Sequence, residues 1–294
     1  MNITNVNNLP QPLVSAVRRD PYSSKADISI TGLIRPPRMR VLEKRHDAEI
    51  SVDVSERIWT LLGQSVHAIL ERADTSNHLA EERLSTEVLG WKVSGQVDLY
   101  SQDGTIQDYK VTSCYSFLLG DKPEWEQQIN AYAWLYRKAG FPVKRAQIVA
   151  ILRDWVSSKA GEEGYPKAPV LTVDIDLWAD SKVQTWVEER VRLHQEAEDV
   201  PDDALPHCTD QERWSRPDTW AVKKEGNKKA YRVFTNPIDA ADLAIKHGMI
   251  VDHRKGENVR CERFCLAAPF CSQKSGGDIS PAPVGVEDGT ASRS

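Results

Sequence analysis

The chain has 294 residues, 40% of them hydrophobic, and a formal net charge of −5. That length admits one large domain or a domain with an annex, and the acidic balance argues against a protein coated with positive charge while leaving room for a locally basic groove. No apolar run approaches the ~20 residues a membrane span needs, and Met1-Asn2-Ile3-Thr4-Asn5 lacks the regions of a secretory signal, so a cytoplasmic protein without membrane contact is expected.

Residues 1–50 read as an N-terminal arm, polar and rich in Asn and Pro to about residue 30, then basic. Arg35, Arg38, Arg40, Lys44 and Arg45 lie close together there. A second basic group, Lys223, Lys224, Lys228, Lys229 and Arg232, follows much later. Each group reads equally as a solvated surface or as part of a nucleic-acid groove.

The pattern predicts a core domain over residues 51–200. Asp53 to Ala73 is helical, with Val54, Ile58, Leu61, Leu62, Ser65 and Ile69 on one stripe, and Gly63 and His67 one turn apart on another face. Trp91 to Tyr100 alternates as a strand: Val93, Val97 and Leu99 point one way, Ser94, Gln96 and Asp98 the other. Asp103-Gly104 is a tight-turn signal. The next strand begins at Thr105, and Ile106, Asp108 and Lys110 share one of its faces. A hairpin of this kind brings Asp98, Asp108 and Lys110 to one side of one sheet.

Pro123 opens a helix to about Ala139 with the stripe Trp125, Ile129, Tyr132, Ala133 and Tyr136, and with Gln128 one turn before Tyr132. Ala146 to Leu152 reads as a covered central strand, Val170 to Ile175 as another, and Leu177 to about Asp199 as a long charged helix. Residues 201–273 change character: Pro, Asp, Trp and basic residues dominate, and Asn236 to His247 is the one convincing helix. This annex cannot build much core alone. Residues 274–294 read as a disordered tail.

Two chemistries stand out. Magnesium or manganese held by carboxylates activates water and stabilises a leaving oxygen in phosphodiester hydrolysis. Asp98 and Asp108 suit that ion, with Lys110 beside it and His67 as an added nitrogen ligand that favours manganese. On the residues alone Tyr132, on the apolar stripe, reads as core, with Gln128 capping its edge. Separately, Cys208, Cys261, Cys265 and Cys271 offer four thiolates in a cysteine-poor chain. Four thiolates suit a [4Fe–4S] cluster or a structural zinc; the one-plus-three spacing favours the cluster, while zinc with three cysteines and His207 or His253 stays open. Cys114 competes with Cys208 for the first position. Trp155, Trp214 and Trp220 are open to base stacking or to core packing.

The order Gly63-x-x-x-His67, Glu87, Gly95-Gln96-Val97-Asp98, Asp108-Tyr109-Lys110 and Gln128-x-x-x-Tyr132 resembles the RecB-type branch of the PD-(D/E)XK nuclease superfamily over roughly residues 55–155. The resemblance implies an α/β, restriction-endonuclease-like fold, a mixed central sheet flanked by helices, here with a C-terminal Cys-ligated annex. It implies His67, Asp98 and Asp108 as metal ligands, Lys110 as catalytic lysine, Gln128 and Tyr132 as site support, and Glu87 as an upstream acid. The cysteines continue the likeness, to AddB-type, CRISPR-adaptation and phage nucleases that carry a [4Fe–4S] cluster, with stand-alone phage exonucleases most similar. Their late spacing is C-x2-C-x5-C where this chain has C-x3-C-x5-C, and their first cysteine often precedes the core, whereas Cys208 follows it. The implied function is a Mg- or Mn-dependent exonuclease on DNA ends or single strands, in phage recombination or DNA processing; a DNA-binding or recruitment module with little nuclease activity and a zinc-stapled RNA-processing nuclease are the alternatives. Its implied partners are DNA and a single-strand annealing or recombination protein. No Gly-x4-Gly-Lys-Ser/Thr loop is present, so no use of ATP is expected.

Overall fold

The computed structural model describes residues 1–19, 25–72, 78–80, 83–118 and 122–275; the expected tail from residue 276 onward lies outside the described residues. The chain divides into two compact units, one of residues Met1–Arg35 and Asp47–Asp199, the other of Pro36–His46 with the chain from Val200 on. Among the described residues, no helix is long and apolar enough to cross a membrane.

The first unit starts where an extended arm was expected, and the expectation is corrected. Strand β1 (Asn2–Thr4) is followed by helix α1 (Gln11–Arg18), strand β2 (Ile28–Ser29) and the short helix α2 (Ile30–Ile34). Helix α3 (Pro37–Arg45) belongs to the second unit. Strand β3 (Ser51–Asp53) pairs in parallel with β1, Asn2 opposite Ser51. Asp53 locks this pairing by accepting from the Val6 N–H at 2.8 Å and the Thr4 hydroxyl at 3.2 Å. Apolar Ile28, Ile30 and Leu33 carry the same stretch into the core, and their burial outweighs the polar composition around them.

Helix α4 (Ile58–Glu71) follows a short 3-10 turn. Its expected apolar stripe is not covered: no residue of α4 is buried, and Leu62 and Ile69 are 38% and 66% exposed. Its main contacts among the described residues are with α1, the preceding turn and Thr105–Thr112, a strand of the large sheet.

Strands β4 (His78–Ala80), β5 (Arg83–Val88), β6 (Trp91–Gln96), β7 (Leu99–Ser101) and β8 (Thr105–Thr112) come next. The single strand expected over Trp91 to Tyr100 is broken at Val97–Asp98. β6 lies in a three-stranded sheet of order β2-β6-β5, while β7 belongs to a five-stranded one. After helices α5 (Cys114–Leu118) and α6 (Pro123–Lys138) come β9 (Arg145–Leu152), β10 (Val170–Ile175) and helix α7 (Asp180–Glu198). The large sheet has the order β10-β9-β8-β7-β4 and is mixed: β8 and β9 run parallel, the other pairs antiparallel.

Helix α6 is buried continuously from Gln128 to Tyr136 rather than along one stripe. It contacts α2, α7 and strands of both sheets, so each of its faces meets protein. Val183, Val187 and Val191 form the buried stripe of α7, spaced for one helical face. Arg190 from the same helix donates to the carbonyls of Leu33 and Arg35 at 2.7 Å, satisfying acceptors left open at the end of α2.

In the second unit, β11 (Ser215–Arg216) pairs with β15 (Glu257–Asn258), and β12 (Thr219–Lys223) is the middle strand between β13 (Arg232–Phe234) and β14 (Ile250–Arg254). Helix α8 (Pro237–His247) packs Ala240 and Ala244 against Val222. Helix α3 supplies apolar residues that the annex sequence lacks: Val41 and Leu42 are buried in this unit, as are Leu205, Val259 and Ala267. His46 at its end stacks on Phe270 at 4.2 Å and lies 2.7 Å from the Asp202 carboxylate. Residues 36–46 are therefore part of the annex and not of an N-terminal arm.

Candidate active site

A cavity of about 360 Å³ in the first unit is lined by Ser29, Thr31, His67, Arg83, Ser94, Gly95, Gln96, Asp98, Asp108, Lys110, Gln128 and Tyr132. The break at Val97–Asp98 explains how it arises. β7 pairs with β8 only at Leu99–Gln107 and Tyr100–Ile106. Had the hairpin continued, residue 97 would have served the Tyr109 N–H. The chain leaves instead, and the Asp98 side chain takes that donor, Oδ2 accepting from the Tyr109 N–H at 2.6 Å. A buried backbone donor without a ladder partner must find another acceptor, and a carboxylate at the break supplies it. The other oxygen, Oδ1, lies 2.8 Å from His67 Nδ1.

Asp108 and Lys110 sit two apart on β8, so they share a face. Asp108 is 4% exposed. Burial pushes its carboxyl pKa up, and the Asp98 charge adds to this, against the pull of Lys110 and His67. Lys110 Nζ lies 2.5 Å from Asp108 Oδ2, yet that oxygen has no aligned hydrogen bond among the described residues. The contact is an ion pair without good hydrogen-bond geometry, because the amine is directed elsewhere: Lys110 Nζ donates to Gln128 Oε1 at 2.8 Å. Gln128 Nε2 in turn donates to the Tyr132 hydroxyl at 3.1 Å. Burial drives the Tyr132 phenol pKa well above its ordinary value, so it stays protonated. The His67 pKa is raised, first by its hydrogen bond to Asp98.

The structure thus brings His67, Asp98, Asp108, Lys110, Gln128 and Tyr132 around one cavity. Gln128 and Tyr132 are buried and also line it, so packing and site support coincide there. Glu87 is not among the lining residues. On β5 the buried residue is Val88, and Glu87 takes the exposed outward position opposite Lys92, which removes it from the site. Ser29, Thr31, Arg83 and Ser94 line the cavity and were not singled out from the sequence. Ser94 alternates with Gln96, which was a usable signal; Arg83, whose Nη1 donates to Ser94 Oγ at 3.4 Å, had none.

Of the residues expected in a groove, Arg38 is corrected: it is 1% exposed, and its guanidinium is used inside the second unit. Lys223 pairs with Asp252 at 3.0 Å, and Arg232 lies over the Phe234 ring. Lys224, Lys228 and Lys229 are exposed on the hairpin between β12 and β13. Arg35 and Arg40 are half-buried. Trp155 packs against the Cys114, Ala150 and Leu152 cluster and donates to the Pro166 carbonyl at 2.8 Å. Trp220 stacks on His253, and the Arg260 guanidinium covers the Trp214 ring at 4.1 Å.

The five cysteines are all free thiols. Cys114 is buried beside Tyr165 in the first unit. Cys208, Cys261, Cys265 and Cys271 lie in the second, near enough for their charges to act on one another. Burial, then neighbouring acidic groups, pushes Cys208 up to about 12. Burial pushes Cys265 up to about 11 and also raises Cys261. Among the described residues, no group of three or more His, Cys, Asp or Glu side chains has the geometry to hold a metal ion as it stands. His253 is held by Asp218 at 2.6 Å.

No protein-family model matches the chain, and no curated protein matches it either. Among solved structures it is similar to SSO0001, at 18% identity with a TM-score of 0.43, over 62% of this chain and 84% of that one. It is also similar to a phage-related exonuclease from Haemophilus somnus, at 16% identity and a TM-score of 0.29, covering 63% and 80%. A protein from Eubacterium rectale provisionally named an exonuclease follows, at 15% and 0.31, covering 77% and 81%. These superpositions are loose, and the functional reading rests on the chain's own residues.

Proposed function

We propose that the chain is a metal-dependent deoxyribonuclease of the PD-(D/E)XK type, with restriction-endonuclease-like architecture, acting as an exonuclease on DNA ends or single strands. The observation that carries this reading is the meeting of Asp98, Asp108 and Lys110 in one cavity, with a buried Asp108 oxygen that lacks an aligned hydrogen bond. The single charge of Lys110, 2.5 Å away, is set against two neighbouring carboxylates, Asp108 and Asp98, and a divalent cation would offset the negative charge left over. Two carboxylates suit magnesium, which keeps several waters, so a cage of three protein ligands is not required. A magnesium or manganese ion there would supply an activated water and charge stabilisation for phosphodiester hydrolysis.

The chain's own residues have separate tasks. Asp98 and Asp108 would hold the ion. His67 holds the Asp98 carboxylate through Nδ1; it would offer a nitrogen ligand for manganese only in its neutral form, so that binding the ion there would release a proton. Lys110, held by Gln128, would orient the attacking water and steady charge on the phosphate. Tyr132 fixes the Gln128 amide. In the second unit, Cys208, Cys261, Cys265 and Cys271 would hold a [4Fe–4S] cluster that fastens a unit with little apolar core; a zinc ion is the other candidate. Four free thiols in one unit support this, and closing them on a metal requires their deprotonation. The setting proposed is phage DNA recombination or processing in the cytoplasm, without ATP.

The test is anaerobic purification, elemental analysis and incubation with end-labelled single- and double-stranded DNA under magnesium or manganese. Release of nucleotides from DNA ends is the expected result, with product length and label position giving the direction. DNA binding without cleavage under either ion would replace the enzyme by a binding module, and zinc without iron would replace the cluster.

A further inference from the structure

Arg38 is the largest fully buried side chain among the described residues, at 1% exposure. An arginine stays charged at all ordinary pH, and a buried charge is tolerated only where an anion or a dense set of hydrogen bonds meets it. The guanidinium of Arg38 donates from Nε to Cys271 Sγ at 3.3 Å, from Nη1 to the Leu205 carbonyl and from Nη2 to the Ser272 hydroxyl. None of these hydrogen bonds reaches a carboxylate. The carbonyl and the hydroxyl are neutral, so of these three acceptors the sulfur is the one that can carry an opposing charge.

A neutral thiol is a weak acceptor and does little for a buried cation. A thiolate does much more, and a thiolate in a buried setting is kept by a metal. Arg38 projects from α3, a helix distant in sequence from every cysteine, and it joins that helix to the chain at Leu205 and at Cys271–Ser272.

We propose that Arg38 is the charge partner of a metal-bound Cys271 thiolate, a positioning residue that builds α3 into the thiolate metal site. The proposal rests on the reading of the four cysteines as metal ligands and adds a residue outside the cysteine motif. A hydrogen bond from a cation lowers the electron density on a ligating sulfur. It therefore favours the reduced form of a cluster and slows loss of the metal, in the way outer-shell partners act at other sites.

The experiment uses the full chain, purified anaerobically as wild type, Arg38→Lys, Arg38→Met and Cys271→Ser. It measures metal per chain, the rate of metal transfer to a chelator and, where iron is found, the cluster's reduction potential. Circular dichroism of each variant reports folding. Arg38→Met should hold its metal roughly 10- to 100-fold less well than wild type, the usual range for losing an outer-shell partner, with a lower reduction potential. Arg38→Lys should fall between, because it keeps the charge but not the fork that reaches three acceptors. Loss in Cys271→Ser should not be made worse by adding Arg38→Met, since both remove the same contact. Metal retention and potential equal to wild type in folded Arg38→Lys and Arg38→Met would overturn the role of Arg38 while leaving the metal site standing. Wild-type chain free of iron and zinc would overturn both. Additive losses in the double variant would make Arg38 a purely structural tie.

Discussion

Lys110 Nζ donates to Gln128 Oε1 at 2.8 Å while standing 2.5 Å from Asp108 Oδ2. The amine is shared between an amide that holds it by a directed hydrogen bond and a carboxylate that attracts it by charge alone. Replacing Gln128 with Ala removes the directed partner, and the amine then settles fully on Asp108 and blocks the ion's place. Cleavage is expected to fall about 10²-fold, the scale of a misplacement near 1 Å, with DNA affinity little changed. Tyr132→Phe keeps the Gln128 amide and removes only its far anchor, so its loss should stay below tenfold. Single-turnover cleavage and a binding titration check both; a fully active Gln128→Ala would remove the relay from the mechanism.

Asp108→Asn separates function from folding. The variant should lose cleavage under either ion. Without divalent ions it should not be less stable than wild type, because burial penalises the charged form of the native carboxyl. A folded pKa above the ordinary value means that the native state holds the extra proton. Wild-type stability then declines as pH rises from about 3.8 through the raised folded value, and the Asn variant should lack that decline. Urea unfolding in chelator across this range measures it. Adding manganese should raise the melting temperature of wild type alone, since the ion binds only the folded site. A steeper pH dependence in Asp108→Asn than in wild type would contradict the assignment.

Gly95 is required by close packing. A Cβ there would stand 2.6 Å from Ile30 Cδ1 and 2.9 Å from the Tyr132 ring. Gly95→Ala should therefore cost about 1–3 kcal/mol, the range for overpacking a well-filled core, and should displace Tyr132 enough to reduce cleavage beyond the stability loss. Thermal unfolding together with cleavage of the surviving folded fraction tests this. A variant with wild-type melting and activity would mean that β6 and α6 have room to separate.

Much of the site was legible because its chemistry lies on short-range periodicity. Two-residue alternation placed Asp108 and Lys110 on one face, and one helical turn placed Gln128 beside Tyr132. What alternation did not show was the break at Val97–Asp98, since the apolar-polar pattern continues through it although the chain changes sheets. Glu87 fits the expected motif order, but strand phase decides its direction, and Val88 claims the core side. The allegiance of α3 was hidden for a different reason. Pro37 to Arg45 is rich in Arg and Lys, with Val41 and Leu42 the adjacent apolar pair, and nothing local says that such a charged segment joins a unit whose Leu205 lies 167 residues on from Arg38. Arg38 read as surface by residue type, and only its long-range partners reveal otherwise.

Asp53 fastens the start of the chain and supplies an acid-sensitive prediction. Its carboxylate accepts from the Ser55 hydroxyl at 2.6 Å, the Val6 N–H at 2.8 Å, the Ser55 N–H at 3.0 Å and the Thr4 hydroxyl at 3.2 Å. These bonds, the Ser55 hydroxyl first, hold its pKa well below the ordinary carboxylate range. With the folded value depressed, the native state binds fewer protons than the unfolded one. The contribution is complete above the ordinary value of 3.8 and is lost as pH falls toward the depressed folded value. Asp53→Ala should free β1 from β3, raising amide exchange at Ile3 and Thr4 by at least tenfold near neutral pH, while amides in β8 and β9 keep wild-type protection. Asp53→Asn should behave similarly, because its amide offers one acceptor oxygen to several donors. Hydrogen exchange followed by mass spectrometry resolves the two regions. Unchanged protection of residues 2–4 in both variants would show that the parallel β1–β3 ladder stands without the carboxylate.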